Sequence, residues 1–383
     1  MHCDYFDSGV CRSCTLMGTA YEEQLATKDA RCRATLAGVG GRLEWLAPAP
    51  SLEAGFRNKA KLVVGGTAER PTLGILDRAG HGVDLRQCGL YEPALAAALP
   101  VLADFVTRAR LTPYDVPGRR GEVKYLLVTA SPTGALMLRI VLRSPDQLPQ
   151  IRAALPDLQA ALPSLAVVTV NLHPEHKAVL EGDTELPLTD QTELPMPVGE
   201  VVLHLGPRSF FQTNTQVAEA LYRQAREWID AADPASVLDL YCGVGGFALA
   251  AAARTRRVVG VEVSQDAVAA ARRSAADLCR ARPDIGPIEF VAGDATAYAL
   301  SSPAPDLVLV NPPRRGLHEA LTCWLDSGAV RNVLYSSCNV ETLARDLARM
   351  PRLVARRARL FDMFPQTGHH EVLVWLRREG VGS

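Results

Sequence analysis

From residue 201 to the C-terminus, this chain of 383 residues alternates short apolar runs with longer amphipathic ones, and that alternation constrains the fold most. Residues 201–205 read as a strand and 215–231 as an amphipathic helix. Strand 236–241, a glycine-rich turn, helix 246–254, strand 257–263 and helix 265–281 follow. Strands 288–292, 306–310 and 331–336, helix 340–349 and a final pair of strands near 353–361 and 370–376 complete the pattern. Strands separated by helices in this way build an open, mostly parallel sheet covered by helices, with the ligand site at the carboxyl ends of the strands. Every chemically suggestive loop in this half sits at such an end.

The first half reads differently. Between residues 56 and 197 the strand-like runs 61–64, 73–76, 125–129, 136–142 and 167–172 are interrupted by Ala/Leu-rich helices at 93–110 and 147–161, an α+β pattern. Before it, a charged helix is expected at 21–36, ended by Pro48-Ala49-Pro50. Three parts follow: an N-terminal segment 1–55, an α+β central domain 56–199 and an α/β domain 200–383. Hydrophobic residues at 48% and charged residues at 22% suit a globular chain and exclude a disordered one. No apolar run approaches the roughly 18 residues of a membrane span. The N-terminus shows no basic-then-apolar signal, so a cytoplasmic protein is expected.

With 41 Lys+Arg against 42 Asp+Glu, any nucleic-acid contact must use local patches. Arg57, Lys59 and Lys61 form one, and Arg119, Arg120 and Lys124 another. Solvated faces and RNA-phosphate contacts are equally good readings of both.

Ser236-Val237-Leu238-Asp239-Leu240-Tyr241-Cys242-Gly243-Val244-Gly245-Gly246 runs from a strand through a glycine turn into a helix. Glycines let the backbone approach a ligand near the helix N-terminus. Gly243-x-Gly245-x-x-Ala248 satisfies a loose dinucleotide fingerprint, so this loop alone leaves an NAD(P) enzyme open. Glu262 closes the next strand, where an acid holds ribose hydroxyls. Asp294 follows the third strand and Asn311 the fourth. Singly, such acids are more often helix caps or turn residues. On consecutive strand ends they favour a nucleoside cofactor. The Asp-x-Tyr-Cys-Gly-x-Gly form resembles S-adenosyl-L-methionine-dependent methyltransferases more than dehydrogenases.

Leu334-Tyr335-Ser336-Ser337-Cys338-Asn339 puts a thiol just past an apolar strand. Most lone cysteines are buried structural thiols, and Cys32, Cys242, Cys279 and Cys323 are read so. Cys338 stands apart because Asn311-Pro312-Pro313-Arg314-Arg315-Gly316 lies one strand earlier and Asp362-Met363-Phe364-Pro365-Gln366-Thr367-Gly368-His369-His370-Glu371 follows. With Leu-Tyr-x-Ser-Cys-Asn-x-x-Thr ending at Thr342, the early cysteines and Gly55-Phe56-Arg57-Asn58-Lys59-Ala60-Lys61, these motifs resemble the RNA uracil-C5-methyltransferase family nearly end to end. The likeness is greatest to its bacterial subgroup acting on 23S ribosomal RNA.

The resemblance implies a class I, Rossmann-like methyltransferase domain in which Cys338 is the nucleophile and Glu371 the base. It also implies Gln212, Tyr241, Glu262 and Asn311 as contacts to S-adenosyl-L-methionine, and 23S ribosomal RNA as substrate of a monomer. The residue types suit the chemistry, because uracil C5 is a poor nucleophile until a thiolate adds at C6. A base must afterwards remove the C5 proton. Two positions depart from the common pattern: many relatives have Asp where Asn311 stands, and His370 replaces an apolar or aromatic residue just before the base. Asn-Pro-Pro also occurs in adenine amino-methyltransferases, which want an aromatic next, where this chain has Arg314. The alternative from another class is a non-catalytic RNA-binding or assembly factor on the same fold.

Nine cysteines in a reducing compartment suggest ligands or reactive thiols before disulfides. Cys3, Cys11, Cys14 and Cys88 supply four thiolates. Their spacing lacks the two close pairs usual for zinc and also suits a [4Fe–4S] cluster, leaving both open. It lacks the Cys-x3-Cys-x2-Cys triplet of radical enzymes. The family resemblance assigns the four to a structural iron–sulfur cluster.

Overall fold

The computed structural model describes residues 1–39, 43–177 and 180–379. The chain divides into two compact units, one made of residues 1–14 and 54–196, the other of residues 15–53 and 197–383. The N-terminal stretch expected as one segment, 1–55, is thus shared out. Residues 1–14 go with the central unit, and residues 15–53 are built into the α/β unit through backbone pairing described below.

The α/β unit carries an eight-stranded sheet. Its strands are β1 (Glu44–Trp45), β2 (Ser236–Leu240), β3 (Arg257–Glu262), β4 (Ile288–Ala292), β5 (Leu307–Val310), β6 (Asn332–Ser337), β7 (Leu353–Phe361) and β8 (Glu371–Arg378). Their spatial order is β1-β7-β8-β6-β5-β2-β3-β4. Neighbours from β6 to β4 are parallel, while β8 is antiparallel to both β6 and β7. The central strands are mostly apolar because helices cover both faces, as parallel sheets require: Leu307-Val308-Leu309-Val310 is entirely buried.

Helices are α1 (Tyr21–Leu36), α2 (Thr215–Ala232), α3 (Gly246–Ala250), α4 (Gln265–Ala281), α5 (Ala295–Ser301), α6 (Glu319–Ser327) and α7 (Val340–Ala348). Local chemistry starts them: Asn214, Ser264, Asp294 and Asn339 each accept backbone N–H groups of the following turn as N-caps. On one sheet face, Leu240, Val261, Val310, Tyr335 and Val374 form a core with Cys32 and Leu36 of α1 and Leu343 of α7. On the other, Trp228 of α2 stacks on Trp375 of β8 with ring centroids 6.4 Å apart.

The sequence pattern missed β1, α5 and α6. Helix α1 spans the expected residues but ends at Leu36, twelve residues before the proline segment expected to stop it. That segment instead follows β7, Ala49 bridging Phe361, and β1 pairs in parallel with β7. The strand expected at 201–205 forms, outside the eight-stranded sheet.

Helix α1 also fastens the loop that leads into β8. Lys28 Nζ donates to Asp362 Oδ1 at 2.6 Å and to the Phe364 carbonyl at 3.2 Å, both charged residues being almost fully buried. Gln24 and Gln366 exchange two hydrogen bonds of 3.0 Å.

The central unit is α+β, as expected. Seven strands, in the order 82–84, 71–76, 59–66, 123–130, 136–142, 165–172 and 184–187, carry helices Pro93–Arg108 and Leu148–Ala161 over one apolar face. Only 136–142 and 165–172 pair in parallel, joined by the second helix as a crossover. Among the described residues no helix is long and apolar enough to cross a membrane.

Removing one partner of a buried ion pair leaves the other charge uncompensated. Lys28→Met is therefore expected to lower the unfolding free energy by about 3 kcal/mol. Urea titration followed by tryptophan fluorescence measures this, and an unchanged midpoint would show that the pair contributes nothing.

Candidate active site

The sheet order reverses direction between β2 and β5, and open α/β sheets bind ligands at such a switch point. Tyr241, Glu262 and Asn311 stand at the ends of β2, β3 and β5, so the structure brings these three expected cofactor residues to one edge. Tyr241 takes a left-handed backbone, φ 63°. Glu262 is held by two amides: Oε1 accepts from Ser264 N at 2.9 Å and Oε2 from Gly243 N at 3.2 Å. Gly245, at φ 87°, has no room for a side chain, because an added Cβ would lie 2.7 Å from the Phe290 ring. Gln212 is buried in the segment that enters α2. Asp294 caps α5 by accepting from Ala297 N at 2.8 Å, so the modest reading of that acid holds. It also lines, with Tyr241, Thr296, Pro313 and Arg315, a cavity of about 600 Å³. Cavities of roughly 300–1,000 Å³ suit small-molecule ligands.

Asp239 is the residue that motif spacing left unassigned. It is fully buried in β2, and among the described residues neither carboxylate oxygen has a hydrogen-bond partner. Burial pushes its pKa well up and the Glu262 carboxylate adds to the rise, while the nearby Ala248 amide opposes it without reaching bonding geometry. An orphaned buried carboxylate is costly unless a donor or cation meets it.

The second cluster lies where β6 meets β8. The antiparallel register pairs Ser336 with Leu373 and Ser337 with Val372, so Cys338 and Glu371 come next, opposite one another at the strand ends. Opposed residues share a face, and positions two apart along a strand share it too. Ser336, Cys338 and Glu371 therefore point to the same side. Ser336 Oγ donates to Glu371 Oε1 at 2.5 Å. Glu371 is 3% exposed, and burial raises its carboxyl to about 7 against the pull of the Ser336 hydrogen bond. Cys338 is half-buried; burial and then the Glu371 charge push its thiol up, whereas the Arg314 guanidinium beside it favours the thiolate.

Arg314 belongs to the Asn311–Gly316 loop, which is tied to α7. Asp346, buried in α7, accepts from Leu317 N at 2.7 Å and from the Tyr335 hydroxyl at 2.8 Å. Gly316, at φ 80°, lies so close that a Cβ there would collide with the Asp346 carboxylate. Sequence spacing did not single out Ser336, Arg314 or Asp346, because their partners come from other strands and loops.

His370 faces the opposite side of β8 from Glu371. Burial lowers its pKa, so the ring is neutral; Nδ1 donates to the Gly368 carbonyl at 3.2 Å and Nε2 accepts from the Cys32 thiol at 3.1 Å. Its departure from the family pattern thus bears on α1 packing. Of the four thiols read as buried, Cys32 and Cys242 are so; Cys279 is half-buried and Cys323 exposed, on helix surfaces.

In the central unit, Cys3, Cys11, Cys14 and Cys88 are free thiols. Cys14 is raised to about 11, first by burial and then by the charges of Cys88, Cys11 and Cys3, with Arg57 opposing. The four therefore lie within electrostatic reach of one another. Among the described residues, no group of three or more His, Cys, Asp or Glu is placed to hold a metal ion. The two basic patches divide. Lys61, Arg119 and Arg120 are exposed, but burial lowers Lys59 to about 8, and buried Lys124 donates to the Glu175 carbonyl at 2.6 Å.

Residues 179–281 and 295–379 match the family described as tRNA (Uracil-5-)-methyltransferase. A protein of Pectobacterium carotovorum subsp. carotovorum, 23S rRNA (uracil(747)-C(5))-methyltransferase RlmC, is 47% identical over 381 residues, covering 99% of this chain and all of its own. The protein of that name in Halothiobacillus neapolitanus is 47% identical over 384 residues with the same coverage. The fold is that of the Pyrococcus abyssi tRNA (uracil-54, C5)-methyltransferase in complex with S-adenosyl-L-homocysteine, at TM-score 0.78 and 24% identity over 96% of this chain and 84% of that one. Near-identical length and 47% identity from end to end place the chain in the RNA uracil-C5-methyltransferase family.

Proposed function

We propose that this protein transfers a methyl group from S-adenosyl-L-methionine to C5 of a uridine in 23S ribosomal RNA, through a covalent bond between Cys338 and C6 of the base. The observation that carries this reading is the placement of Cys338 directly opposite Glu371 on one sheet face, beside a switch-point edge built for a nucleoside. The relatives' names supply the RNA. A target uridine must leave its stack to reach a thiol in a protein, and loop RNA makes that least costly.

The cofactor's donor set is suited to its parts. Glu262, held by two amides, is poised for ribose hydroxyls, and the unpartnered Asp239 offers a carboxylate to a cationic group. Tyr241, Asn311 and Gln212 complete the proposed contacts. When bound, S-adenosyl-L-methionine supplies an electrophilic methyl group.

Cys338 adds to C6 as the thiolate, Arg314 offsetting part of the upward push from burial and the Glu371 charge, and makes C5 nucleophilic. After C5 is methylated, Glu371 takes its proton; the C5=C6 bond re-forms and the C6–S bond breaks, returning the thiolate. A base with a pKa near the working pH suits this step, and burial brings Glu371 there.

Cys3, Cys11, Cys14 and Cys88 would hold a [4Fe–4S] cluster that ties residues 1–14 to the central unit. Four free thiols that sense one another's charge, with Arg57 at hand to offset a net negative group, support this reading. Bound there, the cluster would supply structural cross-linking.

Cys338→Ala should lose both methylation and covalent capture of RNA carrying 5-fluorouridine; capture retained by the variant would remove Cys338 from the nucleophile's place. Glu371→Gln should still form the RNA adduct but accumulate it, seen as a slow-migrating band on denaturing gels. Adduct release by the native enzyme should fall as pH drops below about 7, where Glu371 becomes protonated. Stopped single-turnover reactions across pH 5.5–9 test this (a span of about 1.5–2 units on either side of the expected midpoint). A flat profile counts against Glu371 as base. Protein purified without oxygen should be brown and hold about four irons per chain, while a colourless, zinc-loaded preparation would replace the cluster with zinc.

A further inference from the structure

Ser336 stands at the unspecified position of Leu-Tyr-x-Ser-Cys-Asn and has no part in the chemistry above. It is nevertheless fully buried, and its hydroxyl is aimed at the carboxylate assigned as base. The strand register explains the aim. Glu371 lies opposite Cys338, so Ser336, two residues earlier on β6, is its diagonal neighbour on the same face. A short serine reaching a long glutamate spans that diagonal, and the resulting 2.5 Å contact lies at the short end of the range for a hydroxyl on a carboxylate. Among the described residues, Glu371 Oε2 accepts no hydrogen bond. One oxygen of the carboxylate is therefore held and the other is free.

We propose that Ser336 is a positioning residue for the elimination step, holding Glu371 Oε1 so that Oε2 is presented to the proton on C5. The proposal rests on the nucleophile and base assignments above and adds to them the group that aims the base. In the step itself, the C5–H proton passes to Oε2, its bonding pair becomes C5=C6, and the C6–S pair returns to Cys338. Ser336 keeps its own proton throughout and donates more strongly to the ionised carboxylate than to the acid. That preference favours the base form in a site where burial disfavours it.

The titratable groups facing Glu371 are few. Cys338 follows β6 and Tyr222, half-buried, is on α2; both respond to the Glu371 charge. Opposite Glu371 on β7 is the apolar Phe361. Arg314 lies beyond Cys338 and acts on the thiol. His370 is on the other face. Among the described residues Glu371 forms no ion pair, so loss of the Ser336 hydroxyl removes the hydrogen bond that favours its charged form.

The test compares native protein with Ser336→Ala and Ser336→Thr. Covalent capture of 5-fluorouridine RNA stalls before proton removal, so Ser336→Ala should capture within about twofold of the native rate. Its release of methylated uridine RNA should have a midpoint about one pH unit higher, which is about fivefold slower turnover at neutral pH. Ser336→Thr, which retains the hydroxyl, should restore the native midpoint. A midpoint unmoved in Ser336→Ala, or capture reduced as much as release, would overturn the proposal, the second result marking a general packing defect. Failure of the native protein itself to capture 5-fluorouridine RNA would instead sink the nucleophile assignment on which the proposal stands.

Discussion

The antiparallel pairing of β6 with β8 is the constraint on which the candidate chemistry depends. A parallel sheet sends all its strand ends the same way, and successive ends are separated by helices. The single reversed strand brings the start of β8 to the end of β6, so two residues 33 positions apart stand opposite each other. A slip of one residue would turn Glu371 to the other face and put His370 in its place. Apolar Val372 and Val374 on the α1 side oppose that slip, since it would expose them to the site and bury Glu371 in the core.

Burial then sets the electrostatics. Asp239 and Glu371 are carboxyls inside the unit, both pushed up by loss of water, yet the protein treats them differently. Glu371 has a hydroxyl donor and sits near neutrality, where a group can both accept and surrender a proton. Asp239 has no hydrogen-bond partner among the described residues and lies within β2, close before the glycine turn. Glu262, by contrast, is anchored by two backbone amides and keeps its geometry without help. The three acids look alike on paper; their surroundings divide their work.

Much of the fold could be read from residues because it is repetitive. The strand-to-helix period changes of residues 236–281 and the apolar runs at 307–310 and 332–336 announce parallel strands under two helical layers. The pieces that were not legible are short or indebted to distant partners. Strand β1 is two residues long and exists only because β7 offers an edge; α5 and α6 are short helices whose starts are set by side-chain caps. The first 55 residues read as one segment because they precede the first dense run of strands. Contacts divide them, since α1 has its buried partners in the loop before β8.

The sequence by itself determined the alternating α/β architecture, the order of acidic and amide side chains along the strand ends, and the motifs by which the family is known. Each of these is a local pattern, written in consecutive residues. Only the tertiary structure decided that Cys338 faces Glu371, that Ser336 holds one oxygen of that carboxylate, that Arg314 reaches the thiol and that His370 turns away towards Cys32. These depend on register and strand direction. Both are set by which apolar surfaces can be buried together, a property of the folded whole that no stretch of residues carries alone.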